Sequence, residues 1–148
     1  MKLKLLHLLL INLTLYGCKN NQIIVSSNSA QTDIPREYNY KEVSDYELVW
    51  DSIFDVESTN YYVYFYSTTC SHCEELKNFI VETALNRGDI YFVKATSKDQ
   101  LTNDTKKLIG AGIPEDIWIL GYPSLLKISN KKVTKNLAGT NQIKAELK

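Results

Sequence analysis

An excess of charge is the first thing missing. The 17 basic residues are matched by 17 acidic ones, so the formal net charge is zero. Arginine is scarce, at Arg36 and Arg87 only. Nothing therefore marks a nucleic-acid surface, and no acidic block marks a solvating tail. Histidine is confined to His7 and His72, and cysteine to Cys18, Cys70 and Cys73. A tetrahedral zinc site takes four Cys, His or carboxylate ligands. Cys70, His72 and Cys73 are too few for one, and His72 lies between the two sulfurs, so no metal is expected. No cofactor motif is read either. No apolar run approaches the ~20 residues that span a bilayer, and no repeat is visible. What the chain does have is 148 residues that are 44% apolar, enough for one domain with a real core plus a tail.

The tail comes first. Lys2 and Lys4 precede an apolar run of 11 residues, Leu5 to Leu15. That is short for a transmembrane helix and suits the apolar region of a secretory signal. The run ends Leu15-Tyr16-Gly17-Cys18, which resembles a bacterial lipobox, although Tyr16 stands where a small or hydroxyl residue is usual. The resemblance implies a signal peptide over 1–17, cleavage before Cys18 and lipid on its sulfur. The cysteine count agrees: with Cys18 acylated, Cys70 and Cys73 are left as a pair in an exported chain. Removal of 1–17 takes two lysines with it and leaves a net charge of −2. Residues 18–39 then read as a flexible tether, polar and aperiodic, with too little apolar surface to offset the entropy of ordering.

The domain is expected over 40–148. Tyr40–Val43 reads as a short edge strand. Ser44-Asp45-Tyr46-Glu47 has the form of a capping box, followed by Tyr46, Val49, Trp50 and Ile53 at helical spacing. Asn60–Tyr66 is an aromatic strand, and Glu74–Leu85 an amphipathic helix stopped near Gly88. Ile90–Val93 is a central strand. Residues 96–116 read as a mostly helical crossover, broken at Gly110–Pro114. Ser124–Ile128 and Lys132–Leu137 form a hairpin around Asn130. Asn141–Leu147 is a last helix.

Between the aromatic strand and the helix lies Cys70-Ser71-His72-Cys73. A strand feeding this motif into a helix sets the first sulfur beside unpaired backbone N–H groups, at the dipole end that favours a thiolate. Two intervening residues let the second sulfur close a disulfide on the first. Some 50 residues on, Ile119-Leu120-Gly121-Tyr122-Pro123 precedes an apolar strand, and Gly139 and a helix follow the hairpin. Together these resemble the thioredoxin superfamily over roughly residues 40–148. The resemblance implies an α/β fold, a three-layer α/β/α sandwich around a mixed sheet of four or five strands with a C-terminal antiparallel hairpin.

It also implies roles. Cys70 is the attacking sulfur, Cys73 the resolving one, and a Cys70–Cys73 disulfide forms in the oxidised state. His72 places positive charge near Cys70 and makes the pair more oxidising. Pro123 is cis, and Tyr122 and Pro123 bind substrate, with the Tyr122 backbone offered to a client strand. Departures are plain: many thioredoxins carry aspartate at the position of Tyr64, tryptophan at that of Thr69, and Gly-Pro in place of Ser71-His72. A histidine before the second cysteine looks like that of periplasmic disulfide-introducing enzymes, whose helical insertion is absent here.

The implied function is a membrane-anchored, extracytoplasmic thiol–disulfide oxidoreductase. Its partners are thiols or disulfides of exported proteins and an electron-transfer partner at or outside the membrane. It needs no cofactor, contacts the membrane through lipid on Cys18, binds no nucleic acid and is monomeric. A second class stays open: a non-catalytic surface lipoprotein or export accessory module that binds a partner through the same fold.

Overall fold

In strand β1, Asn60–Tyr66, six consecutive residues from Tyr61 to Tyr66 are buried. Only a strand covered on both faces accommodates this, so β1 lies inside its sheet. The computed structural model describes residues 35–148, and within them the sheet runs β2–β1–β3–β4. β2 is Ile90–Lys94, β3 Ser124–Ser129 and β4 Lys132–Ala138. β1 and β2 are parallel, joined by helix α1, Ser71–Arg87. β3 is antiparallel to both β1 and β4. Helix α2, Thr140–Leu147, closes the chain. A parallel pair with its crossover helix, then an antiparallel hairpin and a final helix, is the thioredoxin-like order expected from the sequence.

The pleat of β1 divides the core in two. Tyr62, Tyr64 and Tyr66 point to the face covered by α1 and α2, where they meet Leu76, Ile80, Ile90, Phe92 and Ile143. Tyr61, Val63 and Phe65 point to the other face, against Trp50, Ile53, Leu108, Ile117 and Ile119. Among the described residues that second layer holds no α-helix. It is built from 3₁₀ turns and extended chain, so the third layer of the expected sandwich is irregular.

Two segments depart from expectation for identifiable reasons. Residues 40–53 form neither an edge strand nor a helix from Ser44, but 3₁₀ turns at Tyr40–Tyr46 and Trp50–Ser52. The capping box is Asn39 with Glu42. The Asn39 side chain accepts from the Lys41 N–H at 3.0 Å, and Glu42 Oε1 accepts from the Asn39 N–H at 3.0 Å, so the turn starts five residues early. Glu47 and Leu48 then run extended beside β2, with the Leu48 N–H 2.8 Å from the Phe92 carbonyl. This splits the apparent helical face: Tyr46 packs on the α1 side, Trp50 and Ile53 on the other, and Val49 is 71% exposed.

The second departure is 96–116, where the only helical turn is 3₁₀ at Pro114–Asp116. Asp99 accepts from the N–H and hydroxyl of Thr96, and Asp104 from the N–H of Lys106. Such short side chains offer the backbone partners other than a helix. Leu101 instead bridges to Ile119. The β3–β4 turn holds Asn130 and Lys131 at φ 49° and 59°, the two-residue hairpin geometry that suits strand twist.

Residues 36–39, assigned to the tether by composition, contact the domain: the Tyr38 N–H donates to Asn78 Oδ1 at 2.9 Å. The signal peptide, Cys18 and the rest of the tether through residue 34 lie outside the described residues.

Candidate active site

At the end of β1 the chain turns through Ser67–Thr69 and enters α1 at Cys70. The turn is local: the Cys70 N–H donates to the Ser67 carbonyl at 3.2 Å, and Ser67 Oγ lies 3.0 Å from Thr69 Oγ1. Cys70 itself caps the helix. Its Sγ accepts from the Cys73 N–H at 3.1 Å, one of the first-turn donors that a helix leaves without a partner. The expected juxtaposition of sulfur and helix end is therefore present as a hydrogen bond.

The two sulfurs differ in access. Cys70 is partly exposed, Cys73 is fully buried, and both are free thiols. The disulfide expected of the oxidised pair is thus open here, and the geometry is that of the dithiol. Burial, with the neighbouring Cys70 sulfur, pushes the Cys73 thiol up to about 12. Around neutral pH Cys73 keeps its proton, and Cys70 is the sulfur a client meets.

Iodoacetamide is accordingly expected to label Cys70 and not Cys73 in the folded, reduced Cys18→Ala protein from pH 6 to 9, with Cys73 labelled only after unfolding. Peptide mass mapping checks this, and equal labelling of both would contradict it. The same shift makes stability pH-dependent. The folded state holds the Cys73 proton, whereas the unfolded chain releases it near about 8.5. The contribution is intact below that pH and is lost as pH climbs toward about 12. The phenols of half-buried Tyr40 and buried Tyr61, each pushed up to about 12 chiefly by desolvation, act in the same direction.

Across from Cys70 lies the loop before β3. The Tyr122–Pro123 peptide is cis, and the Tyr122 carbonyl sits 3.5 Å from Cys70 Sγ, accepting from the thiol. Tyr122, half-buried, reaches both cores, and its hydroxyl donates to Asp99. Ser124 Oγ donates to the Gly121 carbonyl at 2.7 Å and fixes the loop from the other side. Cys70, Cys73, Tyr122 and Pro123 are therefore brought together.

His72 is on the same turn but points outward: its side chain is 71% exposed, with Nδ1 3.6 Å from Glu75 Oε2. Glu74 turns instead to Lys77, at 2.5 Å. Of the two acidic residues after the motif, one faces the histidine and the other is occupied by a lysine. A shallow groove of about 400 Å³ separates His72 and Glu75 from Gly139–Gln142 at the start of α2.

Sequence reasoning missed Tyr40 and Asp99. Tyr40 donates its hydroxyl to the Cys73 carbonyl at 3.0 Å and lies 3.5 Å from the Tyr64 hydroxyl. Neither residue belongs to a motif. The high tyrosine count was the one available signal for Tyr40, and packing alone accounts for most of it.

No family model matches the chain, and no curated protein matches it. Solved structures similar to it include thioredoxin f2 of Chlamydomonas reinhardtii, at 22% identity, covering 68% of this chain and 88% of that one, with a TM-score of 0.44. The long form of spinach chloroplast thioredoxin f has 14% identity, 68% and 78% coverage and a TM-score of 0.46. A chain from the complex of ferredoxin:thioredoxin reductase with thioredoxin f2 has 16% identity, 68% and 86% coverage and a TM-score of 0.47.

Proposed function

We propose that this chain is a thiol–disulfide oxidoreductase that exchanges disulfides with exported proteins through Cys70 and Cys73. One observation carries the reading. A partly exposed sulfur caps a helix 3.1 Å from the N–H of a second, buried cysteine, and a backbone carbonyl faces it at 3.5 Å. A client cysteine can reach Cys70 there while its backbone pairs with the Tyr122 segment. Exchange then passes through a mixed disulfide at Cys70 that Cys73 resolves. An insulin-reduction assay tests this: activity is expected from the dithiol, and an inert protein with both thiols reduced would overturn it in favour of a partner-binding module.

Oxidation and reduction of clients both stay open, and His72 is the one residue that leans the pair toward oxidation. A cation on this turn stabilises the reduced pair, although Glu75 offsets part of it. His72→Ala is expected to make the couple more reducing by about 15–30 mV, where about 30 mV corresponds to 1.4 kcal/mol. Glutathione redox titration measures it, and an unchanged or less reducing couple would remove His72 from the site.

The extracytoplasmic, lipid-anchored location rests on the sequence of residues 1–18: the basic start, the short apolar run and Cys18 after Gly17. Labelled palmitate is expected to be incorporated in cells and lost in Cys18→Ala. Absence of label from the native chain would leave a plain secretory signal.

A further inference from the structure

The Tyr122 backbone faces Cys70 without being tied into the sheet. Its carbonyl accepts from Cys70 Sγ at 3.5 Å, and among the described residues its N–H has no acceptor. The chain on either side is held. Beyond it, the Gly139 N–H donates to the Pro123 carbonyl at 3.0 Å. Before it, the Ile119 N–H donates to the Gln100 carbonyl and the Thr102 N–H to the Ile119 carbonyl, both at 2.9 Å. What fixes Tyr122 itself is its side chain, whose ring packs against both cores and whose hydroxyl donates to Asp99.

Asp99 is half-buried and receives three donors. Its Oδ2 accepts from the Thr96 N–H at 3.1 Å and from the Tyr122 hydroxyl, and its Oδ1 accepts from the Thr96 hydroxyl at 2.8 Å. The carboxylate is thus oriented by Thr96 before Tyr122 meets it. Thr96 in turn follows Ala95, whose N–H donates to the Tyr66 carbonyl at 2.7 Å. Tyr66 ends β1, and the turn to Cys70 begins at the next residue. Asp99 therefore links the strand end that carries the dithiol to the loop that faces it. No cation pairs with it among the described residues, because the adjacent Lys98 is engaged by Asp51 at 2.6 Å. A hydroxyl on an ionised acceptor makes one of the stronger hydrogen bonds, so this tie is well suited to hold a ring in one place.

We propose that Asp99 is a positioning residue for client recognition: by holding the Tyr122 hydroxyl it keeps the Tyr122 N–H and carbonyl presented to an extended peptide whose disulfide lies over Cys70. The inference rests on the exchange function proposed for Cys70 and Cys73. Asp99 acts through Tyr122, since among the described residues it bonds neither sulfur. Its effect is on binding of the client's backbone, which pairs best with a segment already fixed in the bound position. A disulfide without peptide groups has nothing to pair with Tyr122 and gains nothing from the tie. The carboxylate acts by shape rather than by charge. An asparagine side chain can make the same three bonds, its oxygen accepting from the Thr96 N–H and the Tyr122 hydroxyl and its amide donating to the Thr96 hydroxyl oxygen.

The test uses the full reduced chain carrying Cys18→Ala, so that only the pair reports. It is oxidised by two probes in turn: hydroxyethyl disulfide, and a short peptide with a central cysteine joined to a second copy through its disulfide. Either probe takes two electrons from the dithiol and leaves as two thiols. Acid quenching and intact mass give each second-order rate, and the readout is the ratio of the peptide rate to the hydroxyethyl rate. Asp99→Ala and Tyr122→Phe are each expected to lower this ratio about tenfold, the order of one net hydrogen bond. The double variant is expected to fall no further, because both changes remove the same bond. Asp99→Asn is expected to stay within about threefold of the parent. Ratios within about twofold of the parent in both single variants overturn the proposal. So does a double variant that loses the product of the two effects, and so does an Asp99→Asn as impaired as Asp99→Ala. General damage to the dithiol would slow both probes and leave the ratio unmoved, which also counts against positioning. A parent oxidised by neither probe overturns the exchange function instead. If Asp99→Ala does not fold, Tyr122→Phe, which removes a single oxygen, decides the matter.

Discussion

Cys73→Ser is expected to turn the protein from a catalyst into a trap. Clients should accumulate as mixed disulfides on Cys70, visible as adducts on non-reducing gels that dissolve with dithiothreitol. Cys70→Ser should form no adducts and reduce insulin no faster than reductant alone. The asymmetry comes from access. Cys70 is the partly exposed sulfur, and it sits on the helix end with the Tyr122 carbonyl beside it. Cys73 is sealed, protonated and unable to meet a client, but its N–H is 3.1 Å from Cys70 Sγ. Only after a client occupies Cys70 does Cys73 have a bond to attack. Activity that survives Cys70→Ser, or normal turnover by Cys73→Ser, would reverse or abolish these roles.

Phe92→Ala is expected to destabilise the domain by about 3–5 kcal/mol, the usual cost of truncating a buried Phe. Phe92 is fully buried on β2 and presents ring contacts to Tyr64, Tyr66 and Tyr40, with centroids 5.6, 6.3 and 6.2 Å away. It supports the aromatic cluster beneath the dithiol, so its loss leaves a cavity between sheet and helix rather than a surface dent. Against a typical total of about 5–15 kcal/mol, this is a large share. Leu85→Ala, at a 39% exposed position on α1, is expected to cost much less. Urea unfolding of both variants checks this; a loss below about 1 kcal/mol for Phe92→Ala would show that the cluster repacks.

How far the sequence foretold these features depends on what holds each one. β1, the dithiol, α1 and the hairpin were legible because their signals are local: a run of β-formers, a helix opening at the cysteines, Gly88 in the left-handed region at its end, and turn residues at Asn130 and Lys131. The pairing of Tyr122 and Pro123 with Cys70 is a contact across more than 50 residues. It was reached only through resemblance to a known fold. Residues 40–53 misled because two capping boxes compete there, and the pairing of Leu48 with β2 decides between them. Residues 96–116 misled because Asp99 and Asp104 bond the backbone locally in place of a helix, and Leu101 bridges to Ile119 instead. Tyr40 was invisible as a site residue: its hydroxyl meets Cys73 only once the sheet and α1 have packed.

The tyrosine-rich β1 tolerates its buried hydroxyls because most of them donate to a fixed acceptor. Tyr61 donates to the Ile53 carbonyl, Tyr62 to Glu146 and Tyr66 to Glu47. Each of these donors thus has a partner, as burial of a polar group requires. Tyr64 differs in that its neighbours are another phenol and the pair of sulfurs.

The most direct test of the exchange chemistry is equilibration of the reduced Cys18→Ala chain in glutathione buffers of graded potential, with thiol counting and intact mass as the readouts. Cys70 and Cys73 are expected to disappear together, reversibly, as a single two-electron couple with the loss of two hydrogens per chain. Thiols that stay free in oxidised glutathione, or that are lost one at a time as separate glutathione adducts, would contradict the account.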